Sequence, residues 1–535
     1  MRRGKLLKMV SMGVIFAIVT SCGQRNIATS GNRGKQQTIT LLHTNDIHGN
    51  YMPFLTTTGS ATSQTGDAGR DTLITFKQQA EIGGFAVLAT AVKEIRKSKG
   101  DENVLLLDSG DAFGDDLLGN LTRGEAVIRM MKKLGYNYLS LGNHDFDYGR
   151  ERTEELMKIA GFPFGAANIR DKRTGKSIFG NPYLIKEIGG TKIAILSLGY
   201  HNTDLTGNSE NMKDLEFLRG NEVLKEVLLE VKEQADIIIL LSHQGTAVDR
   251  LTAEEFSEID LILGGHSHDL ISKPEKINNT YMVQALSDAA ALGEIDLEIT
   301  DGKLTGIKAN HQLLWLSDFE KDGEMENLIK ELRAPHLVHL EEVIATATEV
   351  IDRQYKTESS FDKFVGNLLR KEYEAEIAFL PGVGYGISLQ GDITREDLYR
   401  LIPHPPKIVT LSLTGKQVKA TLEQTATNQK PGDKYEVVGG LLQSSGVSYT
   451  LDYSKSVGNR ITAVQVNGKD LDLEKEYKIV THSGMLKGLH RYNEIGKGKN
   501  IDRKDIQLNE FVTEKFRELK DISNPENMKE IKFIK

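Results

Sequence analysis

One pattern recurs along the first half of the chain: a short apolar run ends in a polar turn that contains glycine. Runs of this length and composition are typical of buried strands in an α/β sheet. The runs cover residues 38–42, 104–107, 138–141, 193–198, 237–241 and 261–263. Apolar residues repeat at helical spacing over 85–95, and residues 125–134 form a second predicted helix that ends at Gly135. Strands covered by helices predict a layered α/β domain.

The length of the chain, 535 residues, predicts two domains, because a single hydrophobic core stops growing near ~250 to 300 residues. We predict a first domain over 38–318 and a second, smaller domain over 345–535. The charged, helix-prone segment 319–344, which contains Pro335, is the predicted linker and hinge. Residues 51–81 are rich in Thr, Ser and Gly and are predicted to form a long loop.

The second domain has its own pattern of shorter elements. A helix is predicted over 361–376, and hairpin strands are predicted over 446–469. Asn467 and Gly468 form the turn signal of that hairpin. This mixture predicts an α+β domain.

The N-terminal segment has the composition of an export signal. Basic residues precede an apolar stretch over 9–19, which is too short to cross a bilayer, since a spanning helix needs ~20 residues. The stretch ends in Val-Thr-Ser-Cys, which resembles a bacterial lipobox in which Cys22 is lipidated. Residues 1–22 would then be a lipoprotein signal peptide, residues 23–37 a flexible tether, and the mature protein exported and lipid-anchored to a bacterial membrane, facing the periplasm or the cell surface. The alternative is an ordinary cleaved signal with an unmodified cysteine.

Five polar clusters follow predicted strands of the first domain. They are Asn-Asp-Ile-His-Gly with Asp46 and His48, Asp-Ser-Gly-Asp with Asp111, Gly-Asn-His-Asp-Phe-Asp with Asn143, His144 and Asp147, Ser-His-Gln-Gly with His243, and Gly-Gly-His-Ser-His-Asp with His266 and His268. In an open α/β sheet, ligands bind beyond the carboxyl ends of the strands. The five clusters are therefore predicted to converge on one site.

The residue types in these clusters indicate a metal centre. Carboxylate, imidazole and amide oxygen, with no thiolate, suit two divalent ions such as Zn, Mn or Fe, and two ions need a bridging carboxylate, for which Asp111 is the best candidate. Taken alone, an Asp-x-His sequence is usually an ordinary turn, and Gly-His-x-His also occurs in surface loops. All five clusters in order, each after a strand, favour the metal centre.

These motifs resemble those of the calcineurin-like metallophosphoesterases, and more closely the branch that contains bacterial 5'-nucleotidases and 2',3'-cyclic phosphodiesterases. The resemblance implies a layered metallophosphoesterase sandwich followed by a 5'-nucleotidase-type domain. It implies that phosphate monoesters, 5'-nucleotides or related nucleotides among them, are hydrolysed by a metal-bridging hydroxide. It assigns Asp46, His48, Asp111 and His268 to one ion, Asp111, Asn143, His243 and His266 to the other, and His144 and Asp147 to a catalytic pair beside them.

The second domain departs from the nucleotide-binding pattern of that branch. Tyr385 stands where the resemblance expects an arginine, His404 lies in an Ile-Pro-His-Pro-Pro segment, and Tyr492 ends a Lys-Gly-Leu-His-Arg-Tyr segment. These three residues are the predicted substrate contacts, although Tyr385 could equally pack within its domain. The departures keep three alternatives open: a sugar phosphate substrate, a thiosulfohydrolase-like activity, and a surface binding protein without catalysis.

The net charge limits the classes of partner, and the remaining histidines are considered for a role in the site. A net charge of −8 and the absence of a basic stripe in the sequence argue against a nucleic-acid partner or a DNA nuclease. The predicted partner is a small phosphate ester, with membrane contact through the lipid alone and no obligate protein partner. The other histidines are predicted to have no role in the site, with His404 and His490 as partial exceptions; they are His43, His201, His311, His336, His339 and His482.

Overall fold

The computed structural model describes residues 36–56, 76, 79–114, 116–383, 387–526 and 528–534. The predicted signal peptide with Cys22, most of the tether, most of the predicted loop 51–81 and Tyr385 lie outside the described residues. Within the described part of the chain, no helix is both long and apolar enough to cross a membrane.

The first domain alternates strands and helices. Its strands are β1 (Gln36–Thr44), β2 (Phe54–Leu55), β3 (Glu81–Ile82), β4 (Val104–Asp108), β5 (Tyr138–Ser140), β6 (Phe164–Gly165), β7 (Ile169–Asp171), β8 (Tyr183–Ile188), β9 (Thr191–Leu198), β10 (Leu215–Phe217), β11 (Ile237–Ser242), β12 (Leu261–Gly264), β13 (Leu270–Ile277), β14 (Thr280–Ala285), β15 (Ala291–Thr300) and β16 (Lys303–Leu313). Its helices are α1 (Phe85–Lys99), α2 (Leu117–Thr122), α3 (Glu125–Leu134), α4 (Arg150–Ala160), α5 (Gly220–Val231) and α6 (Thr246–Glu255). The six predicted buried strands are confirmed as β1, β4, β5, β9, β11 and β12.

Two sheets form the centre of this domain. Strands run in the order β16-β15-β1-β4-β5-β6 in one sheet and β13-β14-β12-β11-β9-β8 in the other. Alternate apolar residues of both sheets meet in a shared core that includes Ile39, Leu105, Ile195 and Ile239. Helices α1 and α3 pack outside the first sheet, and α5 packs outside the second. The domain is therefore a sandwich with helices on its outer faces, and the layered sandwich that the resemblance implied is confirmed.

A helical segment joins this sandwich to the rest of the chain. It contains α7 (Gly323–Arg333), the short 3-10 helix Ala334–His336 and α8 (Leu337–Leu340). Asp322 caps α7 by accepting a hydrogen bond from the Met325 N–H at 2.9 Å. We propose that the division between the domains falls within this segment, which separates β16 from the first strand of the second domain.

The second domain is smaller and mixed. Its strands are β17 (Val343–Ile351), β18 (Ile377–Leu380), β19 (Leu389–Thr394), β20 (Lys407–Thr414), β21 (Gln443–Ser445), β22 (Val447–Asp452), β23 (Ile461–Val466), β24 (Lys469–Asp470), β25 (Glu476–His482), β26 (Lys499–Gln507), β27 (Asp521–Ile522) and β28 (Ile531–Ile534). Its helices are α9 (Ser360–Glu372), α10 (Arg395–Leu401), α11 (Gly415–Gln429), α12 (Ser483–Leu486), α13 (Asn493–Gly496) and α14 (Leu508–Leu519). The two-domain α/β architecture is thus confirmed.

Two local predictions in this domain can be compared with the structure. The Asn467-Gly468 turn joins β23 to β24 with φ of 50° and 76°, as a tight hairpin turn requires. The predicted helix 361–376 ends earlier, at Glu372, because Glu374 takes a left-handed conformation with φ of 48° and the chain turns into β18. The five-stranded sheet of this domain has the strand order β21-β18-β25-β20-β26, and the end of its strand β25 lies at the site.

Candidate metal centre and interdomain cleft

The strand ends of both sheets bring the predicted ligands together. Strands β1, β4 and β5 are parallel neighbours in one sheet, and β11 and β12 are parallel neighbours in the other. Each of the five polar clusters begins at or just beyond the carboxyl end of one of these strands. Because the two sheets face each other, their carboxyl ends open onto one site.

The first group of donors contains Asp46, His48 and His268, whose ligand atoms all lie within 4.8 Å of one another. The two imidazoles face each other, with Nε2 of His48 3.0 Å from Nε2 of His268. Asp46 Oδ1 lies 3.8 Å from His48 Nε2 and 3.3 Å from His268 Nε2. One carboxylate oxygen and two imidazole nitrogens therefore converge on a common point, as a divalent ion requires.

The second group contains Asp111, His243 and His266, again within 4.8 Å. Asp111 Oδ2 lies 3.0 Å from His243 Nε2 and 3.9 Å from His48 Nε2, so it borders both groups. Asn143 Oδ1 is buried and has no hydrogen-bond partner among the described residues. Coordination of a metal ion would satisfy this atom. The donor set therefore fits two divalent ions that share Asp111.

The backbone at these donors is unusual. Asp46, His48, Asp111, His266 and His268 have positive φ, between 49° and 71°, where residues other than glycine are uncommon. Such conformations persist only where the surrounding structure imposes them, and they concentrate at functional sites. At Gly110 a Cβ would lie 2.8 Å from His243 Nδ1, which explains why glycine occupies this close approach.

Hydrogen bonds around the donors fix their orientation. His243 Nδ1 donates to the Ser109 carbonyl at 2.7 Å, which leaves Nε2 free to face Asp111. Asn45 Nδ2 donates to Asp46 Oδ2 at 2.6 Å. The buried carboxylate of Asp145 accepts backbone N–H groups of Gly142 at 2.8 Å and Asp111 at 2.9 Å, and so holds the two ligand loops together.

The electrostatics of the site favour cations. Burial, together with the nearby Asp111, raises the pKa of Asp145 to about 7. Burial likewise raises the pKa of Asp249 to about 8. Burial also acts to raise the pKa of Asp46, but the neighbouring His268 and His243 lower it to about 2. Crowded carboxylates of this kind hold unfavourable negative charge that bound cations would neutralise.

A third cluster, which joins the two domains, lies beside the metal donors. His144 Nδ1 lies 2.9 Å from Asp147 Oδ2, within hydrogen-bond distance, and the His144 ring lies edge-on to His48 at 5.4 Å between centroids. His404 of the second domain stacks parallel to His144 at 5.0 Å, and its Nδ1 lies 3.5 Å from Asp147 Oδ2. The structure thus places the predicted catalytic pair against the donors and brings His404 to them.

A cleft of ≈ 780 Å³ separates the metal donors from the second domain. His48, Asp111 and Asn143 line it on one side, and His404 lines it on the other. Tyr492 is 1% exposed and packs in the core of the second domain, away from the cleft lining, because its ring is needed to fill that core. The prediction of a substrate contact at Tyr492 is thereby corrected.

Two further histidines line the cleft: His482, to which the sequence assigned no role, and His490, which it named only as a partial exception. His482 and His490, each 5% exposed, line the second-domain side of the cleft. His482 ends β25, which runs parallel to β18, so it follows the same strand-end rule that identified the metal donors. Applying that rule to the second domain would have found His482, and the Lys-Gly-Leu-His-Arg-Tyr segment already contains His490.

Comparisons with known proteins cover both domains. Residues 39–270 match the family described as calcineurin-like phosphoesterase, and residues 343–496 match the family described as 5'-nucleotidase, C-terminal domain. A 5'-nucleotidase of Vibrio cholerae serotype O1 is 26% identical over 550 residues, which cover 92% of this chain and 93% of the relative. Protein UshA of Escherichia coli (strain K12) is 25% identical, with 89% and 90% covered.

Solved structures show the same architecture. The sulfate thiohydrolase SoxB of Thermus thermophilus superposes with a TM-score of 0.83 at 26% identity, covering 93% of this chain and 96% of that chain. A 5'-nucleotidase precursor, also from Thermus thermophilus, superposes with a TM-score of 0.82 at 24% identity, covering 93% and 99%. Both likenesses extend through the sandwich and the second domain.

Proposed function

The chain belongs to the calcineurin-like phosphoesterases that carry a 5'-nucleotidase C-terminal domain, and we propose that it hydrolyses phosphate monoesters, with 5'-nucleotides or related nucleotides as substrates. The protein is a metal-dependent phosphoesterase. The observation that carries the proposal is the pair of donor groups that meet at Asp111, with an unpartnered buried oxygen on Asn143 beside them.

The proposed roles follow from this geometry. Asp46, His48 and His268 would hold one ion, Asn143, His243 and His266 the other, and Asp111 would hold both. Two divalent cations, when bound, lower the pKa of water and neutralise charge on phosphoryl oxygens. We expect ions of the Zn, Mn or Fe type, because carboxylate, imidazole and amide donors suit them.

The residues beside the donors would act on the leaving group. With its Nδ1 at hydrogen-bond distance from Asp147, His144 is held in one orientation, and we assign the role of proton donor to its other nitrogen, Nε2. We propose that His144 Nε2–H protonates the alcohol oxygen as its bond to phosphorus breaks. An oxygen from water bonds to phosphorus in the same displacement, so the products are inorganic phosphate and the free alcohol.

The function is tested with the purified mature protein, a metal analysis and a substrate panel. The panel contains 5'-nucleotides, cyclic nucleotides, sugar phosphates and thiosulfonates. We expect metal-dependent phosphate release from nucleotides. Bound metal with no turnover of any compound would favour the alternative, a surface protein that binds without catalysis.

A second candidate is a thiosulfohydrolase-like activity on the same core. The observation in its favour is the likeness to the sulfate thiohydrolase SoxB, which covers both domains at 26% identity. Release of sulfate from thiosulfonates, without phosphate release from nucleotides, would support this candidate over the first.

We propose export and lipid attachment for this enzyme. Support comes from the basic and apolar composition of residues 1–22 and from Cys22, the only cysteine in the chain. Mass spectrometry of the mature N-terminus tests the proposal. A diacylated Cys22 is the expected result, and an N-terminus that retains residues 1–21 would contradict it.

A further inference from the structure

The imidazole ring of His266, in the second donor group, is held differently from that of His243. The His266 backbone N–H donates to Asp46 Oδ2 at 2.9 Å, which fixes the main chain. None of the hydrogen bonds among the described residues involves its side chain. His243, by contrast, donates from Nδ1 to the Ser109 carbonyl, and metal-bound histidines are usually oriented by a hydrogen bond of this kind. The orientation of His266 therefore needs another source.

The ring of Tyr200 supplies that orientation. It stacks on the ring of His266, with 3.8 Å between the centroids and 28° between the planes. Tyr200 is buried and follows β9, whose last residue, Leu198, accepts the His243 N–H at 2.8 Å through its carbonyl. The loop after β9 is thus anchored beside the second donor group. A ring stacked at this distance restricts rotation of the imidazole.

The other end of Tyr200 reaches the second domain. Its hydroxyl donates to the carbonyl of Val437 at 2.8 Å. Val437 belongs to residues 433–438, between α11 and β21, which we call the docking loop. Asn202, in the same segment as Tyr200, donates from Nδ2 to the Tyr435 carbonyl at 3.1 Å. The docking loop therefore contacts the segment that orients His266.

The docking loop has hydrogen bonds of its own, which report whether it is ordered. The Glu436 N–H donates to the Asp433 carbonyl at 2.9 Å, and the Val438 N–H donates to the Asn428 carbonyl at 3.3 Å. Arg219 of the first domain lies 2.8 Å from Glu436, but both side chains are exposed, and exposed ion pairs contribute little. The buried contact of this loop with the first domain is made by a side chain that also touches a metal donor.

We propose that Tyr200 is a positioning residue that couples the His266 donor group to the docking loop, so that an ion bound there and a docked loop favour one another. The inference rests on the metal centre of the proposed function and goes beyond it, because it concerns neither the substrate nor the reaction. Thermodynamic linkage makes the coupling reciprocal. A docked loop raises the affinity for the ion, and the bound ion orders the loop by the same factor.

The test uses three variants of the full chain. Tyr200→Phe keeps the ring on His266 but lacks the hydroxyl that reaches the second domain, and Tyr200→Leu lacks the ring as well. Tyr138→Phe is the matched control. Tyr138 is also buried, and its hydroxyl lies 3.1 Å from Ser197 Oγ in the shared core of the sandwich. The control therefore loses a buried hydroxyl without touching the proposed coupling.

Metal affinity is the first readout. Metal-free protein is titrated with Mn²⁺, and with Zn²⁺ in a second series, by isothermal titration calorimetry. We expect two bound ions in the wild type. Tyr200→Phe should weaken one of them about fivefold, because a buried hydrogen bond is lost, and Tyr200→Leu about tenfold, as the loss of a group that orients a metal-bound histidine typically does. The other ion, and both ions in Tyr138→Phe, should bind as in the wild type.

Hydrogen exchange of the docking loop is the second readout, and it does not depend on activity. Adding Mn²⁺ should slow exchange of the Glu436 and Val438 amides about fivefold in the wild type and in Tyr138→Phe, because the coupling is reciprocal. In Tyr200→Phe the metal should give no such protection. A tyrosine that merely fills space would not make a loop of the other domain respond to metal.

The outcomes separate this inference from the proposed function. If the wild type binds neither Mn²⁺ nor Zn²⁺, the proposed metal centre fails and the inference fails with it. Two bound ions in the wild type, with affinities or metal-dependent protection that are unchanged in Tyr200→Phe, would overturn the inference alone. Circular dichroism confirms that each variant is folded, and Tyr200→Phe carries the test if Tyr200→Leu is not.

Discussion

The two walls of the cleft are built in different ways. On the sandwich side, each donor follows the end of a buried strand, the backbone is held in left-handed conformations, and Asp145 ties the loops together. On the second-domain side, His404 comes from the loop before β20, and His482 and His490 come from the end of β25 and the loop after it. Charged residues such as Arg353 and Lys487 line this side as well. We propose from this difference that the sandwich fixes the reaction chemistry, while loops of the second domain, which can change without altering the sandwich, determine substrate selectivity.

The largest expected effect comes from replacing Asp111, the donor that both groups share on the sandwich side of the cleft. Asp111→Asn removes the charge that both donor groups share, so metal affinity and transition-state stabilisation fall together. We expect phosphate release to fall by about a thousandfold or more, because each ion contributes several kcal/mol. Phosphate assays with metal analysis measure the effect, and the exposed Asp214→Asn is the matched control. Full activity in Asp111→Asn would mean that the donors do not form a shared centre.

A smaller effect is expected from replacing His144 on the sandwich side of the cleft. This variant distinguishes a loss of proton transfer from a loss of metal binding. His144→Asn keeps a donor for Asp147 but removes Nε2. We expect kcat to fall about a hundredfold for esters of poor leaving groups, since general acid catalysis contributes typically 10²- to 10⁴-fold, with metal content unchanged. If His144→Asn instead loses its metals, His144 acts as a ligand and the proposed role is wrong.

A buried ion pair connects the linker to the second domain. Arg333 of α7 lies 2.7 Å from Glu396 of α10, and both side chains are less than 10% exposed; Tyr51 also donates to Glu396. Arg333→Met should lower the free energy of unfolding by about 3 to 5 kcal/mol, because Glu396 is left buried and unpaired. Thermal unfolding measures this loss.

A matched double variant checks the cause of that loss. Arg333→Met combined with Glu396→Met should recover most of the stability, since replacing both charges by apolar groups is often neutral. If the double variant is no more stable than Arg333→Met, the loss comes from packing rather than from an unpaired charge.

The smallest effect is expected from an exposed contact between the same two domains. Arg219 lies 3.0 Å from Asp433, and both side chains are about 40% exposed or more. Asp433→Asn should change stability by no more than about 0.5 kcal/mol, as is usual for exposed pairs. A loss as large as that of Arg333→Met would mean that the domains are held together at this edge rather than at the linker.

The sequence predicted the residues on the sandwich side of the cleft well and those on the second-domain side poorly, for a physical reason. Buried strands leave continuous apolar runs, and the clusters at Asp46, Asp111 and His266 directly follow such runs, so their convergence could be anticipated. His490 reaches the cleft through a left-handed turn after a short helix, and no periodicity marks it. Tyr492, two residues later, faces the core instead.

Other features could not be read from the sequence at all. Nothing in the runs indicated that β1 and β11 belong to different sheets, because parallel strands in one sheet or two have the same composition. The contact of His404 with Asp147 joins residues more than 250 positions apart and depends on how the domains meet. Long-range pairings of this kind leave no local pattern.

Anomalous diffraction from crystals grown with Mn²⁺ tests the central claim most directly. The account predicts two peaks, one within coordination distance of Asp46, His48 and His268 and the other of Asn143, His243 and His266, with Asp111 between them. A single peak, or peaks away from these donors, would contradict it.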